Sequence, residues 1–439
     1  METLNRRNFI KKTVVTTAGT LMGAPAVTKG FVKNSPNDVI NMAVFGINGR
    51  GGYYSGQGHS EVFSKMPNVR VMTLCDVDER LFPESVARLE KNSGFKPKTE
   101  VDFRKVLDDK NIDAVSIAAP DHWHAIMTIL ACQAGKDVYV EKPISYTLWE
   151  GRKMVEAARK YNRVVQAGTN HRSDSQNQKA NQFILDGGLG DIYMAKCCVY
   201  GPRESIGHIK DAPIPEGVHW DLFLGPAPYR PYNENRFHYK WHWFWDTSTT
   251  EMGNNAVHSL DRIRFALNKR VHPVKVHSEG GYYVFDSDQE IPNTQHAIFK
   301  YEDGVIIQAE VRSLYTNQEP SVIIFGSKGY MAGNRVFFGR KREPGPEFVD
   351  KGRGRATPDT VIHMQNFIDC VRSRKWQDLT ADIAEGHLST ALAHLANISF
   401  RTGRKLTFNP NSEKFLDDDD ANSFLKRIYR PPYVVPDKV

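Results

Sequence analysis

Cysteine is scarce in this sequence, and its five cysteines form no pattern typical of a disulfide framework or a metal site. Their number is odd, and neither C-x-x-C nor another metal-ligating spacing occurs among them. A long apolar run is missing near the N-terminus, because the apolar stretch at residues 13–22 is short and rich in threonine. We therefore expect buried free thiols, no metal and no permanent membrane span there.

The chain also lacks a large excess of charge of either sign. Its formal net charge is +7, and four of the basic residues lie within the first 26 positions. The basic residues at 340–355 are interleaved with glycine and proline, which favours a solvated loop over a nucleic-acid-binding patch. The 439 residues, 40% of them hydrophobic, predict a soluble globular protein of two or three domains without a nucleic-acid partner.

The N-terminal 26 residues are typical of an export signal rather than of a folded domain. Arg6, Arg7, Phe9 and Lys11 precede the apolar stretch, and the small residues of Ala24-Pro25-Ala26 suit signal-peptidase cleavage. This pattern resembles a twin-arginine signal, which predicts export to the periplasm by the twin-arginine translocation machinery. That route carries folded proteins, so a tightly held cofactor is expected. The alternative is a basic amphipathic helix of a cytoplasmic protein.

The stretch at 39–52, V-I-N-M-A-V-F-G-I-N-G-R-G-G, predicts a buried strand that turns sharply into a helix. In a dinucleotide-binding turn, glycines let the backbone and the helix N-terminus approach a pyrophosphate. Here Asn48 stands at the middle glycine position of G-x-G-x-x-G, so a tight turn without a ligand remains an alternative. The candidate cofactor-binding residues of the loop are Gly46, Asn48, Gly49, Arg50 and Gly51.

Three further apolar strands are predicted, and polar residues follow each of them. The strand at 69–74 ends at Cys75-Asp76, where a carboxylate is placed to accept hydrogen bonds from a ribose and to repel a 2′-phosphate. Asp76 thus favours NAD over NADP, and capping of the next helix is its alternative role. The strand at 112–119 is followed by Pro120-Asp121-His122-Trp123-His124, where Asp121 could instead be a helix N-cap.

The strand at 137–140 leads into Glu141-Lys142-Pro143, and with this motif the order of segments resembles the Gfo/Idh/MocA oxidoreductases. The resemblance implies a Rossmann domain at 39–168, with Pro120, Asp121, His124 and Glu141 beside the cofactor. It implies that Lys142 contacts the reacting sugar oxygen next to the nicotinamide. It also implies a homo-oligomer, a dimer or a tetramer.

The family's second domain would span 169–410, giving an α/β chain whose Rossmann domain precedes an α+β domain with a large open, mainly antiparallel sheet. His171 and Arg172 follow the strand at 164–168, where the family's substrate pocket opens; turn capping and surface charge are the alternatives. The aromatic tract at 220–245 is interpreted mainly as core or subunit contact. Helices over 363–402 would return to the Rossmann domain, and a tail helix is predicted within 411–439.

The segment at 250–261 carries the second signature of the resemblance. The family usually shows Asp and His four residues apart, with the histidine as acid/base for the sugar hydroxyl; here His258 matches, and Asn254 replaces the aspartate. Asn254 cannot titrate, so its predicted role is to orient substrate or cofactor. Asp261 could hold the His258 ring, or it could form a salt bridge on the helix surface.

These patterns predict an NAD-dependent oxidoreductase that acts on a secondary hydroxyl of a sugar, glycoside or related polyol. Its catalytic residues would be Lys142, His258 and Asn254. The substrate contacts would be His171, Arg172, Lys142, Asn254 and His258. Two alternatives stay open: an NAD-dependent glycoside hydrolase or lyase that works through transient oxidation, and a noncatalytic sugar-binding member of the fold.

Overall fold

The structure is a computed structural model that describes residues 39–317, 319–349 and 359–439. The predicted signal at 1–26 lies outside the described residues, and so does part of the basic stretch at 340–355. Within the described ranges, no helix has the length and the apolar character needed to cross a membrane.

The first half of the chain forms a six-stranded, fully parallel sheet. Its strands are β1 (Ile40–Phe45), β2 (Val69–Cys75), β3 (Lys98–Glu100), β4 (Ala114–Ile117), β5 (Asp137–Val140) and β6 (Val165–Ala167). Strands β4, β5 and β6 are buried at every position, as expected where helices cover both faces of a parallel sheet. The order is β3-β2-β1-β4-β5-β6, which leaves a ligand-binding crevice at the carboxyl ends of β1 and β4.

Five helices accompany this sheet. They are α1 (His59–Ser64), α2 (Phe82–Ser93), α3 (Phe103–Asp108), α4 (Asp121–Gln133) and α5 (Leu148–Lys160). Local sequence signals set their ends: Thr147 and Glu150 form a capping box at the start of α5. In helix α4 the N-cap is Pro120, so Asp121 lies in the first turn and is not the N-cap that the sequence allowed.

The second half is built on a ten-stranded sheet. Its strands are β7 (Ile192–Tyr200), β8 (Lys275–Gly281), β9 (Thr294–Lys300), β10 (Ile306–Arg312), β11 (Val322–Gly326), β12 (Gly329–Ala332), β13 (Arg335–Phe338), β14 (Glu343–Glu347), β15 (Leu406–Asn409) and β16 (Lys414–Phe415). The order is β14-β13-β12-β11-β7-β10-β9-β8-β15-β16, and among these described strands only β7 and β10 pair in parallel. The predicted fold class, a Rossmann domain followed by an α+β domain with a mainly antiparallel sheet, is confirmed.

The other helices of the described ranges are α6 (Ser175–Leu185), α7 (Trp220–Leu224), α8 (Val257–Ala266), α9 (Asp359–Ser373), α10 (Ile383–Thr402) and α11 (Asp419–Ser423). A π-helical turn, Met252–Ala256, directly precedes α8. The helical region expected over 363–402 is divided into α9 and α10, because the intervening chain runs beside β6, where the Ala167 amide donates to the Ala381 carbonyl. The tail helix is short, and Pro431 and Pro432 prevent a helix from continuing through the last residues.

Helix α10 joins the two sheets. At its start Gly386 packs so closely on β6 that a Cβ there would lie 2.6 Å from the Ala167 Cβ. Near its end the Ser399 hydroxyl accepts a hydrogen bond of 2.9 Å from the Ser278 amide of β8. A helix that is buried along most of its length and touches both sheets fixes the carboxyl edge of the parallel sheet against the second half.

The ten-stranded sheet carries a row of apolar side chains on the face opposite to its helices. One residue from each of five adjacent strands contributes to it, in cross-strand register: Ile306, Met194, Phe325, Tyr330 and Phe337. All five are partly exposed. The rings of Tyr330 and Phe337 stack with centroids 5.1 Å apart. We call these five residues the apolar row.

Candidate active site

A cavity of about 710 Å³ lies at the carboxyl edge of the parallel sheet. The loop after β1, the ends of β2, β4 and β5, the turn after β6 and the segment between β7 and α8 all contribute to its lining. Most of the predicted site residues line it, namely Gly46, Asn48, Gly49, Arg50, Asp76, Pro120, Asp121, His124, Glu141, Lys142, His171, Asn254 and His258. The fold therefore brings together residues that are more than 200 positions apart in sequence.

Close backbone packing requires glycine at positions 46 and 51 of the first loop. A Cβ on Gly51 would lie 1.7 Å from the Gly46 carbonyl oxygen, and a Cβ on Gly46 would lie 2.7 Å from the Ala118 carbonyl oxygen. The predicted helix follows the glycines but not directly: a short 3-10 turn, Gly49–Gly51, is followed by a loop, and α1 begins only at His59. The packed, glycine-dependent loop beside the cavity fits a dinucleotide pyrophosphate.

Asp76 stands at the tip of β2, where it lines the cavity and also holds the glycine loop. Its carboxylate accepts hydrogen bonds from the amide of Ile47, at 2.7 Å, and from the amide of Asp78, at 3.0 Å. Burial raises the pKa of Asp76 to about 6, against the lowering effect of these amides. The Asp76 carboxylate thus fixes the conformation of the loop and can still accept hydrogen bonds from a ribose in the cavity.

Asn48 contacts a residue from the second half of the chain. Its side-chain amide lies against Nδ1 of His238, whose Nε2 is 2.9 Å from a carboxylate oxygen of Asp78. His238 lines the cavity as well. The residue that replaces the middle glycine therefore ties the loop to the segment that crosses over the nucleotide half.

Glu141 is a buried carboxylate with two basic partners. It accepts from Nε of Arg50 at 3.0 Å and lies 2.9 Å from Nε2 of His59. Burial alone would raise its pKa, but Arg50 and His59 hold the pKa of Glu141 well below its ordinary value. Arg50 and Glu141, both predicted beside the cofactor, therefore form one ion pair that places a fixed negative charge next to Lys142.

Lys142 meets Asn254 across the interface of the two halves. The ammonium donates to the backbone carbonyl of Asn254 at 2.7 Å and to its side-chain oxygen at 3.2 Å. Burial lowers the pKa of Lys142, and the nearby carboxylates of Glu141, Asp121 and Glu251 oppose that effect. The lysine is thus a desolvated cation held at the cavity wall by one asparagine.

His258 lies one helical turn after Asn254 and beside His171. The two imidazole rings have centroids 5.1 Å apart, and Nδ1 of His258 is buried without a hydrogen-bond partner among the described residues. Burial, and then the charge of Lys142, hold the pKa of His258 well below its ordinary value. His258 is therefore neutral near pH 7 and able to accept a proton. His171 is anchored by Asp359, whose carboxylate lies 2.9 Å from its Nδ1.

The structure contradicts the substrate role predicted for Arg172. Its guanidinium is buried in a bidentate ion pair with Asp261, at 2.8 Å to each carboxylate oxygen, and it does not line the cavity. The same ion pair rules out the suggestion that Asp261 holds the His258 ring, because Arg172 and the hydroxyl of Ser389 occupy the Asp261 carboxylate. Arg172 thus packs α8 against the turn after β6.

The residues after β4 support the cavity wall. Asp121 accepts from both the amide and the hydroxyl of Thr249, at 3.1 and 2.7 Å, and so ties α4 to the segment that leads into the π-helical turn. His124 lies between two backbone carbonyls, those of Ala119 and Pro143, at 2.7 Å from each. Burial raises the pKa of Asp121 to about 7, because ionisation in this enclosed position is costly.

Two residues were not predicted from the sequence, one directly behind the cavity wall and one in it. Glu251 is buried at the start of the π-helical turn and binds Arg203, Asn254 and Asn255. His242, from the aromatic tract, has a pKa lowered to about 3 by burial, and its Nδ1 donates to the Tyr239 carbonyl. The sequence favours core or subunit contact for most of the tract, with one or two residues lining the site, but nothing in its W-H-W-F-W run singles out the histidine as one of them.

A cluster outside the cavity combines His272, His387 and Glu413, whose ligand atoms lie within 4.8 Å of one another. One Glu413 oxygen lies 2.8 Å from Nε2 of each histidine. The same carboxylate also pairs with the guanidinium of Arg152. Hydrogen bonding to the two rings and to Arg152 accounts for this arrangement, and the expectation of no metal stays a prediction.

Comparisons with known protein families agree with the geometry. A family model described as "Oxidoreductase family, NAD-binding Rossmann fold" matches residues 40–169. A second, described as "Oxidoreductase family, C-terminal alpha/beta domain", matches residues 204–435. Together they cover most of the chain, and the first confirms the predicted NAD cofactor.

Curated relatives match shorter stretches. Levoglucosan dehydrogenase of Pseudarthrobacter phenanthrenivorans is 32% identical over 146 residues, which are 32% of this chain and 37% of that protein. The uncharacterized oxidoreductase YrbE of Bacillus subtilis is 24% identical over 284 residues, 64% of this chain and 70% of that one. A glycosyl hydrolase family 109 protein of Shewanella sp. is 27% identical over 172 residues, 36% and 38% of the two chains. The first and third matches thus span well under half of those relatives.

Solved structures share the fold over most of the chain. The WlbA dehydrogenase from Bordetella pertussis, in complex with NADH and UDP-GlcNAcA, has a TM-score of 0.63 and 21% identity, covering 84% of this chain and 99% of that one. Levoglucosan dehydrogenase in complex with NADH and levoglucosan has a TM-score of 0.62 and 17% identity, covering 84% and 99%. At these identities the similarity establishes the fold.

We predict that Asp121 makes stability pH-dependent. An aspartate in an unfolded chain titrates near pH 4 (about 3.9), whereas the folded protein holds the pKa of Asp121 at about 7. The folded state binds the extra proton, so this contribution to stability is lost as pH rises from about 4 to about 7. Asp121→Asn removes the titration and keeps an acceptor for Thr249. The melting temperature of this variant, relative to that of the wild type, should therefore increase as the pH rises from 5 to 8. Asp186→Asn, at an exposed carboxylate, is the control; an Asp121→Asn difference that stays constant with pH would contradict the prediction.

Proposed function

The chain belongs to the Gfo/Idh/MocA oxidoreductase family, and on that premise we propose that it oxidises or reduces one secondary hydroxyl position of a sugar, glycoside or related polyol with NAD. The family membership establishes an oxidoreductase fold with an NAD-binding domain. The sugar substrate is our proposal.

The observation that carries the proposal is the meeting of Lys142, Asn254 and His258 in one cavity with the glycine loop and Asp76. The cavity places a cation, an amide and a neutral imidazole beside the expected cofactor site. An alcohol being oxidised needs a group that takes its proton and a group that stabilises the negative charge growing on its oxygen. The related levoglucosan dehydrogenase and the WlbA dehydrogenase, whose structure contains a nucleotide sugar, support the choice of a sugar.

Each residue has a separate task in this reaction. Bound NAD supplies a nicotinamide that exchanges a hydride with the substrate carbon, and the residues that would hold it are the glycine loop and Asp76. His258 takes the hydroxyl proton, since its lowered pKa keeps the imidazole neutral. Lys142 stabilises the oxygen as charge develops, and Asn254 holds the lysine ammonium in place. In the direction of reduction His258 returns the proton.

The choice of NAD over NADP depends on Asp76. A 2′-phosphate bound near the tip of β2 would face the Asp76 carboxylate and, close by, the buried Asp78. Arg80 does not offset this charge freely, because its guanidinium is paired with Asp78 at 2.7 Å. The charge at this corner therefore supports NAD.

A second candidate function is glycoside cleavage through transient oxidation of the sugar. The sequence matches to glycosyl hydrolase family 109 proteins favour it. Cleavage would release a sugar without net formation of NADH, whereas a dehydrogenase accumulates NADH. A noncatalytic sugar-binding protein would leave the nucleotide unchanged.

We predict that Lys142→Ala and His258→Ala each lower turnover by about 10²–10⁴-fold, because each removes a group that acts on the reacting oxygen or its proton. The nucleotide released by denaturing the purified wild-type protein is first identified. Its redox state is then followed across a panel of sugars and glycosides, with sugar release measured in parallel.

The control for this experiment is Lys91→Ala, which removes an exposed lysine on α2 outside the cavity and should leave turnover unchanged. Full activity of Lys142→Ala would overturn the proposed chemistry. Sugar release without NADH would instead favour the hydrolase.

We also propose that the protein is a homo-oligomer, and the apolar row is the feature that supports this. Five partly exposed apolar residues in register form a flat apolar surface, which a second copy could cover.

Phe325→Glu would place a charge at the centre of the row and should reduce the mass measured by light scattering after size exclusion. Ile428→Glu, at a residue 94% exposed, is the control. A monomeric wild type, or an unchanged mass for Phe325→Glu, would contradict this proposal.

Export by the twin-arginine pathway is proposed from the sequence of the first 26 residues. Replacing both Arg6 and Arg7 by lysine should retain the protein in the cytoplasm, because the paired arginines are the signal that the translocation machinery recognises. Cell fractionation of a host with this pathway measures the distribution. Equal periplasmic amounts of the variant and of the wild type would rule the signal out.

A further inference from the structure

Glu251 is a buried carboxylate at the start of the π-helical turn, and it contacts three side chains of the cavity. One carboxylate oxygen lies 3.1 Å from a guanidinium nitrogen of Arg203 and 3.3 Å from Nδ2 of Asn254. The other oxygen accepts from Nδ2 of Asn255. Glu251 is 3% exposed and does not itself line the cavity. It therefore affects the cavity through the groups that it holds.

The most important of these groups is the side-chain amide of Asn254. A carboxylate can only accept hydrogen bonds and an ammonium can only donate them. The amide between Glu251 and Lys142 must therefore direct its NH₂ group to Glu251 and its oxygen to Lys142, and the distances of 3.3 and 3.2 Å match that orientation. An amide turned the other way would place its NH₂ group against the Lys142 ammonium and its oxygen against the Glu251 carboxylate.

Helical spacing brings these groups together. Asn254 and Asn255 follow Glu251 by three and four residues, the spacing that places side chains on the same face of a helical segment. The π-helical turn also places the backbone carbonyl of Asn254 2.7 Å from the Lys142 ammonium. Wider turns of this kind are frequent where a helix carries a functional site.

We propose that Glu251 is a positioning residue for Lys142, which it orients through the Asn254 amide while adding to the negative charge near the Lys142 ammonium. This proposal rests on the proposed function in assigning Lys142 to the reacting oxygen. The alternative is that Glu251 only forms a structural ion pair with Arg203, whose guanidinium also lies 5.7 Å from the centre of the Trp243 ring. The two interpretations differ in what happens when the negative charge is moved from position 251 to position 254.

The test uses three variants of the purified protein: Glu251→Gln, Asn254→Asp and the double variant. The first removes the charge, and the second places two carboxylates in contact. The double variant keeps one carboxylate and one amide but exchanges their places, so that the carboxylate introduced at position 254 accepts from Lys142 and from the amide introduced at position 251. Glu310→Gln, at another buried, ion-paired carboxylate on β10, is the matched control.

Turnover is the first readout. Each single variant should lower kcat by about 10²-fold, the cost of a small misplacement of a reacting group. KM and the bound nucleotide should change little, and the double variant should recover most of the lost kcat. The control should retain wild-type turnover. A purely structural role predicts that the double variant is at least as impaired as the worse single variant, and this result would overturn the proposal.

The second readout does not depend on turnover. Labelling of Lys142 by an amine-reactive reagent, followed by mass spectrometry across a pH series, gives the titration midpoint of its ammonium. The midpoint should shift to lower pH in Glu251→Gln, which loses a neighbouring negative charge, and to higher pH in Asn254→Asp, which gains one. The double variant should return close to wild type. An unchanged midpoint in Glu251→Gln would overturn the proposal, whereas an absence of turnover on every sugar together with these shifts would contradict only the proposed function.

Discussion

The partial burial of Lys142 at the cavity wall is the constraint on which the site depends. A buried cation is stable only where acceptors and negative charge replace the water that it has lost. The acceptors come from Asn254, on the other half of the chain, and the negative charge comes from Glu141 and Glu251, to which Asp121 adds as it ionises around its pKa of about 7. The lysine follows β5, so its acceptors and charges have to be brought to the edge of the parallel sheet. The contact between the two halves is therefore an electrostatic requirement of this residue as well as a packing interface.

Two of these carboxyl groups, those of Glu141 and Asp121, are held by different parts of the fold. Glu141 is held by Arg50 from the glycine loop, and Asp121 is held by Thr249 from the segment before the π-helical turn. The cofactor loop and the substrate side of the cavity consequently share one electrostatic network. This sharing explains why a residue such as Arg50, predicted only as a cofactor contact, also influences the charge next to the reacting group.

The segment between β7 and α8 connects the outer part of the cavity to the nucleotide half. The amide of His219 donates to the Val77 carbonyl at 2.8 Å, and His238 contacts both Asp78 and Asn48. Its aromatic residues divide into two groups: Trp220 and Tyr232 pack in a buried cluster away from the cavity, while Tyr239 and His242 line the cavity. The sequence could not separate these groups, because both lie in one tract of similar composition.

The nucleotide half was the more predictable one, since its chemistry is local. In a parallel sheet the functional residues follow the strands directly, so Asp76, Asp121 and Lys142 could be placed from strand ends alone. Arg172 shows where this reasoning fails. It also follows a strand, but its partner Asp261 is 89 residues away, and the buried pair that they form removes both from the cavity. No local pattern distinguishes an arginine that faces a substrate from one that a distant carboxylate captures.

Asn254 shows how an apparent departure from a family pattern becomes a requirement once its surroundings are known. Seen alone, the loss of an aspartate four residues before His258 weakens the expected acid/base pair. With Glu251 buried three residues earlier, however, an aspartate at this position would face a second carboxylate in a water-poor site. The residue between a carboxylate and an ammonium must donate to one and accept from the other, and asparagine does both at this length. The spacing E-x-x-N was visible in the sequence and is compatible with a contact within one helical turn, but its meaning depends on the distant Lys142, which the spacing does not reveal.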